Sequence, residues 1–112
     1  MAIAAHLEGS QTATISTEHV LNTTTPETTD GIFQFFVDTA NMVAGDVLEL
    51  RLKEKCRTGD TIRQMLVTTL AGAQSDPLWV SPTFILLHGW DFTLKQTAGT
   101  GRAFPWSIRK VS

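Results

Sequence analysis

The most regular stretch of the chain runs from Asp46 to Cys56, where Leu48, Leu50 and Leu52 alternate with Glu49, Arg51 and Lys53. A period of two gives an extended chain one apolar and one charged face, whereas a helix would scatter these leucines around its axis. The segment therefore predicts a strand. Arg57-Thr58-Gly59-Asp60 follows as a turn, with glycine free to take a positive φ. Thr61 to Ala71 admits two readings. Ile62, Met65, Leu66 and Leu70 fit a helical stripe, with Asp60 as N-cap and Gly72 as stop. Ile62, Leu66 and Leu70 also fit one strand face, and Thr68-Thr69 favours extended backbone. We read it as the second strand of a long hairpin with residues 46–56.

Alternation returns near the end of the chain. Trp90, Phe92 and Leu94 alternate with polar positions, and Phe104, Trp106 and Ile108 do the same after the turn Thr97-Ala-Gly-Thr-Gly101. This predicts a second hairpin. Pro105 has no N–H to donate, so the last strand is expected at an edge or with that position turned outward. Leu78-Trp-Val80 and Thr83 to His88 read as a buried strand, or strand pair, broken near Pro82. Gly31 to Asp38 is apolar on both faces and suits a central strand covered on both sides, or on one side by a neighbouring subunit.

Weaker strand signals lie at Ala13–Thr17 and Glu18–Thr23. Thr39 to Gly45 reads as a loop and Thr23 to Thr29 as an exposed connection. Residues 1–10 are expected to form a flexible arm, and 11–112 a single domain. Seven or eight short strands with frequent turns predict an all-β, two-sheet sandwich, jelly-roll-like in its arrangement. Strand order is not readable from the pattern.

Composition supports this picture. A chain of 112 residues makes one domain, and its seventeen threonines favour strands over helix interiors. Cys56 stands alone, so no internal disulfide forms, and a packed or edge position is expected for it. The start of the chain lacks the basic and apolar regions of a signal peptide, and no apolar run is long enough to span a membrane. Synthesis and folding in a cytoplasm are expected.

Net charge is close to neutral but unevenly spread. Residues 1–50 carry seven acids and no Lys or Arg, while residues 51–112 carry nine bases and four acids, a split of −7 against +5. Either strands of the two halves interleave and the charges mix, or the subunit is polar and its acidic side meets a neighbour's basic side.

Candidate chemistry is sparse. His6, His19 and His88 show no metal-ligand spacing, and no metal or other cofactor is expected. Gly99-Thr-Gly-Arg102 lacks the Lys-Ser/Thr of a phosphate loop and reads as a tight turn. Nothing resembles a nucleophile elbow, so the chain is read as non-enzymatic. Asn22-Thr23-Thr24 matches a glycosylation sequon but, without a secretory signal, reads as accidental. Arg51, Lys53 and Lys55 make a basic strand face, yet nucleic-acid binding asks for a more basic chain. Trp79, Trp90 and Trp106 either fill the core or, as exposed aromatics, form a glycan-binding platform.

Two segments carry a family resemblance. Asp30-Gly-Ile-Phe-Gln-Phe-Phe-Val-Asp through Glu-Leu-Arg-Leu-Lys-Glu-Lys55 resembles small virion structural proteins of tailed bacteriophages, as does Gly89-Trp-Asp-Phe-Thr-Leu-Lys through Phe-Pro-Trp-Ser-Ile-Arg-Lys110. Together they cover about half the chain. The resemblance implies a head decoration, or cement, protein, a class often built as β-rich trimers that bridge capsid subunits. It implies no catalytic motif and fixes no site residue. A tail, neck or baseplate position fits the residues equally well, and a glycan-binding jelly-roll module is a further alternative. From the charge split and the doubly apolar strand, Phe33, Phe36, Arg102, Arg109 and Lys110 are the candidate interface residues for contacts with copies of the chain, or with the major capsid protein.

Overall fold

The computed structural model describes residues 2–111. Nine strands follow in order: β1 (Ile3–Thr12), β2 (Glu18–Val20), β3 (Gly31–Asp38), β4 (Val47–Glu54), β5 (Arg63–Ala71), β6 (Leu78–Val80), β7 (Phe84–Leu86), β8 (Trp90–Ala98) and β9 (Ala103–Val111). They form two antiparallel sheets, the all-β sandwich that the alternation predicts. The first sheet has the order β1-β9-β3-β6, with β7 pairing β3 beyond β6, and the second has the order β2-β8-β4-β5. The pairs β1·β9, β2·β8, β3·β6/β7 and β4·β5 are nested, like successive rungs of one long hairpin. Pairs β3·β9 and β4·β8 then join those rungs into sheets.

The core lies between the sheets and comes from the phases read in the sequence. Leu48, Leu50 and Leu52 of β4, Phe92 and Leu94 of β8, and Phe104 and Ile108 of β9 are all buried. β3 adds Phe33, Phe35 and Val37, and Phe35 stacks on Phe92 across the sandwich with ring centroids 4.5 Å apart. The segment of ambiguous period is a strand: β5 pairs with β4 from Val47↔Ala71 to Glu54↔Arg63, with a register shift beside Leu52. Leu66 and Leu70 pack on the core from the sheet edge, while Met65 and Val67 are exposed.

Several expectations change. Residues 1–10 are not a free arm: most of them belong to β1, which pairs with β9 over its whole length. A bulge after Ala5 turns His6 inward, where its ring meets Phe33 and Trp90. With this strand the described residues hold nine strands against the seven or eight expected, while Ala13–Thr17 forms a turn instead of a strand.

The expected second hairpin is also not formed. β8 and β9 are consecutive but lie in opposite sheets, so the link between them crosses the sandwich. Side-chain hydrogen bonds hold that crossing. Gln96 is fully buried; its amide donates to the carbonyls of Ala98 and Thr100, and its Oε1 accepts from Arg102 N. Asp46 accepts from Thr100 N at 3.2 Å and from Arg102 Nε at 2.9 Å. Gly99 has φ +89°, and a Cβ there would sit 2.9 Å from the Asp46 Cα, so only glycine fits. Alternation could not reveal the crossing, because a strand turns one face inward in either sheet.

β9 is therefore an inner strand, between β1 and β3. Pro105 is tolerated because pairing with β3 ends at Trp106, one residue earlier in space. The segment 78–88 does form a strand pair broken around Pro82, but at an edge, with Leu78, Val80, Ile85 and Leu87 all exposed. At the break Ser81 substitutes for a strand: its backbone N–H donates to Phe35 O, and its hydroxyl accepts from Phe35 N at 2.9 Å.

Of the two readings of the charge split, the one in which the halves interleave and the charges mix is the one the fold shows. Glu18 from the acidic half binds Lys53 at 2.7 Å and Arg51 at 3.5 Å, and Asp46 binds Arg102. A polar subunit with an acidic side and a basic side is not what the fold builds.

Candidate interaction surface

Paired residues in a sheet point to the same side, so the register defines what each outer face presents. On the first sheet, Phe33, Phe35 and Val37 point inward, and Ile32, Gln34 and Phe36 therefore point out. Reading across the strands, Ile3 pairs with Val111, Val111 with Ile32, and Ile32 with Ile85. This is an unbroken row of four branched apolar side chains across β1, β9, β3 and β7. Ile3 is 69% exposed and Ile85 is 80% exposed, so the row lies open at both ends. The next row holds Ala5, Arg109 and Gln34, and the one after it Glu8, Ser107, Phe36 and Val80. Leu78 pairs with Asp38 beyond them.

At that second end the face has a shallow groove of about 150 Å³ among Phe36, Leu78, Pro105 and Arg109. The Arg109 guanidinium lies over the Phe36 ring, 3.6 Å from its centroid. Among the described residues, Arg109, Glu8 and Asp38 have no ion-pair partner.

The sequence-derived interface residues divide on this surface. Phe36 and Arg109 lie on it together. Phe33 does not, because its position on β3 has the inward phase and it is fully buried against Trp90, ring centroids 4.8 Å apart. Arg102 is held within the chain by Asp46. Lys110 pairs with Phe33 and lays its aliphatic stem over Gly31. Ile3, Ile32, Leu78, Val80 and Ile85 were not singled out. The doubly apolar pattern of 31–38 carried the signal for Ile32; Leu78, Val80 and Ile85 read as interior because nothing in a short apolar run separates an edge strand from a buried one.

The three tryptophans do not form a common platform. Trp79 and Trp106 flank Val37 in one inward-facing row, half-buried against the core. Trp90 is fully buried in the second sheet and donates from Nε1 to Thr29 O at 3.0 Å.

The histidines serve local structure. His6 Nε2 lies 3.6 Å from Glu27 Oε1, His19 Nε2 accepts from Thr14 N, and His88 Nδ1 is 3.0 Å from the Thr58 hydroxyl. Among the described residues no three His, Cys, Asp or Glu side chains group as a metal site. The sequon residue Asn22 is buried: its amide donates to Thr24 O and Asp91 Oδ1, and its Oδ1 accepts from Phe92 N. It is a plug between a loop and β8, closed to modification. Cys56 is exposed, not packed, in the loop after β4. That loop borders an open concavity of about 690 Å³ with Lys55, Arg57, Asp60 and Arg63, in which both Asp60 oxygens already bind Arg57.

The second sheet's outer face differs in kind. Glu18, Lys95, Glu49 and Thr69 form one row; Val20, Thr93, Arg51 and Val67 the next; and Asp91, Lys53 and Gln64 the third. Arg51 binds Glu49 at 2.6 Å in addition to Glu18. Partial burial pushes the Glu18 carboxyl up, but hydrogen bonds from Lys53 and Thr93 and the charges of Lys53 and Arg51 outweigh it and hold the group below the ordinary carboxylate value. Asp46, at the crossing, is also held low, first by the Val43 N–H and then by Arg102 and Thr100, against the opposing effect of burial.

Comparison of the chain with family models, curated proteins and solved structures returned no match.

Proposed function

We propose that this chain is a non-catalytic structural subunit of a tailed-phage virion, a capsid decoration or cement protein that docks through the outer face of its first sheet. The observation that carries the docking part is the four-residue apolar row Ile3–Val111–Ile32–Ile85 beside the Phe36–Arg109 groove. A contiguous apolar patch on a small sandwich costs solubility unless something covers it. The virion part rests on the resemblance of residues 30–55 and 89–110 to small phage structural proteins. The nested strand pairs support a jelly-roll reading of the sandwich. In this reading the partners are copies of the chain and the major capsid protein, with no nucleic acid and no membrane.

Imaging of intact particles of the phage that encodes the chain, with counting of copies per particle, tests the assignment. Hundreds of copies spread over the head are expected. A ring of a few copies at the tail, neck or baseplate would move the subunit there. Absence from purified particles would remove the virion reading.

A further inference from the structure

We infer that the outer face of the first sheet packs against the same face of a second copy, related by a two-fold axis. The inference rests on the docking role given to this face and names its occupant.

Three features of the face point to itself as partner. The first is shape. Its most exposed large apolar side chain, Ile85, is at one end, and its hollow, the Phe36–Leu78–Pro105 groove, is at the other. A two-fold axis lying in the interface and running across the strands exchanges the two ends. Each copy then offers its Ile85 to the other's groove, and the contact closes after two subunits.

The second is charge. Arg109, Glu8 and Asp38 sit on the same face without ion-pair partners among the described residues, Arg109 resting on the Phe36 ring and Asp38 accepting from Ala40 N. A surface that carries an unpaired cation and unpaired acids is complementary to its own two-fold copy. The exchange of ends sets Arg109 against the other copy's Ser107–Glu8 row. By contrast, four of the charges outside the second sheet bind one another within the chain: Glu18, Glu49, Arg51 and Lys53.

The third is area. With about 3.3 Å per residue and about 4.8 Å between strands, a face of nine-residue strands four strands wide covers on the order of 550 Å². Two such faces bury about 1,100 Å², enough for a specific though modest interface. This pairing is two-fold, unlike the three-fold assembly that the family resemblance implies.

Sedimentation equilibrium of the purified chain, with its variants, decides the matter. The wild type is expected to reach a dimer as concentration rises. Ile85→Lys is expected to weaken dimerisation tenfold or more with the melting temperature unchanged. Arg109→Glu is expected to weaken it as well, and Glu8→Arg combined with Arg109→Glu to restore part of the loss. A chain that stays monomeric to its solubility limit would overturn the inference. So would a trimer, or a dimer indifferent to both Ile85→Lys and the charge exchange. A monomer or trimer found on phage heads would leave the virion role standing without the two-fold contact. A dimer absent from virions would do the reverse.

Discussion

Three rows across the outside of the second sheet carry charge and are joined by Glu18, which reaches both Lys53 and Arg51; its end row, Ala98–Val47–Ala71, is short and uncharged. The outside of the first sheet holds an uncharged row of four branched apolar side chains, and its charged groups Glu8, Asp38 and Arg109 form no ion pair with one another. Both faces belong to the same thin sandwich and cover the same core. The difference is in how each is completed. Outside the second sheet, long charged side chains lie across the strands, pair locally and shield the sheet from other chains. Outside the first, the apolar row lies open and the charges form no ion pairs among the described residues. A face finished by its own residues needs no cover; the unfinished one is the face for which a contact is proposed.

The largest effect expected from any single change lies under both faces. Leu50 is 1% exposed and touches the packing of both sheets, so Leu50→Ala is expected to cost about 2–5 kcal/mol. Chemical denaturation measures it. If the cost is below about 1 kcal/mol, the shared core is not what holds the faces in place, and the comparison between them loses its footing.

Acid should act next. Glu18 and Asp46 both have folded-state values below the ordinary 4.5 and 3.8. Depressed values mean that each carboxylate contributes its full stability above the ordinary value and loses it as pH falls through the lower folded one. The melting temperature is therefore expected to be nearly level from neutral pH to about pH 5 and to fall below about pH 4. Asp46→Asn should lower the plateau and flatten the acid slope, since it removes the charge and replaces by an NH2 donor one of the two oxygens that accept from Val43 N, Thr100 N and Arg102. An unchanged slope in that variant would show that the crossing between the sheets is held by something else.

How much of this was legible in the sequence depends on what each signal encodes. Leu48, Leu50, Leu52, Phe92, Leu94, Phe104 and Ile108 all take the side their alternation assigns, because burial on one face of a strand is written directly in a period of two. Which strand lies beside which is not. The separation of β8 from β9 depends on Asp46, fifty-odd residues from Thr100 and Arg102, and no local pattern reports such a contact. The same blindness made residues 1–10 look like an arm: Ala4, Ala5, Gly9 and Ser10 have little apolar character of their own, and the strand exists because β9 offers an open edge. For the candidate surface, 31–38 showed that one strand had too many apolar positions for a single core. The register was needed to place Val111, Ile3 and Ile85 in line with Ile32.

On the second sheet a smaller effect is expected. Glu18→Gln removes the hub of the outer network, but its side chain is about one quarter exposed and its partners are solvated. The expected cost is about 1 kcal/mol or less, and it should shrink as salt rises, because screening weakens surface ion pairs first. Denaturation at low and high salt separates the two conditions. A loss that is large and indifferent to salt would mean that Glu18 acts through its hydrogen bond to the nearly buried Thr93 and not through charge.

The smallest effect on the fold is expected within the proposed contact. Ile85 is 80% exposed, and its neighbour across the sheet, Ile32, is itself 39% exposed. Lysine at position 85 therefore removes little buried area, and its stem can lie along Ile32 while its ammonium stays in water. Its stability change should lie within about 0.5 kcal/mol, well below the expected loss for Leu50→Ala. A charge on an edge strand is also a common way of keeping strands from joining other chains. If the first sheet's outer face is a contact, Ile85→Lys leaves the melting curve where it was and changes only what the chain binds. If the same variant instead unfolds the protein, Ile85 is part of the core after all, and the contrast between a finished and an unfinished face is wrong at its most exposed residue.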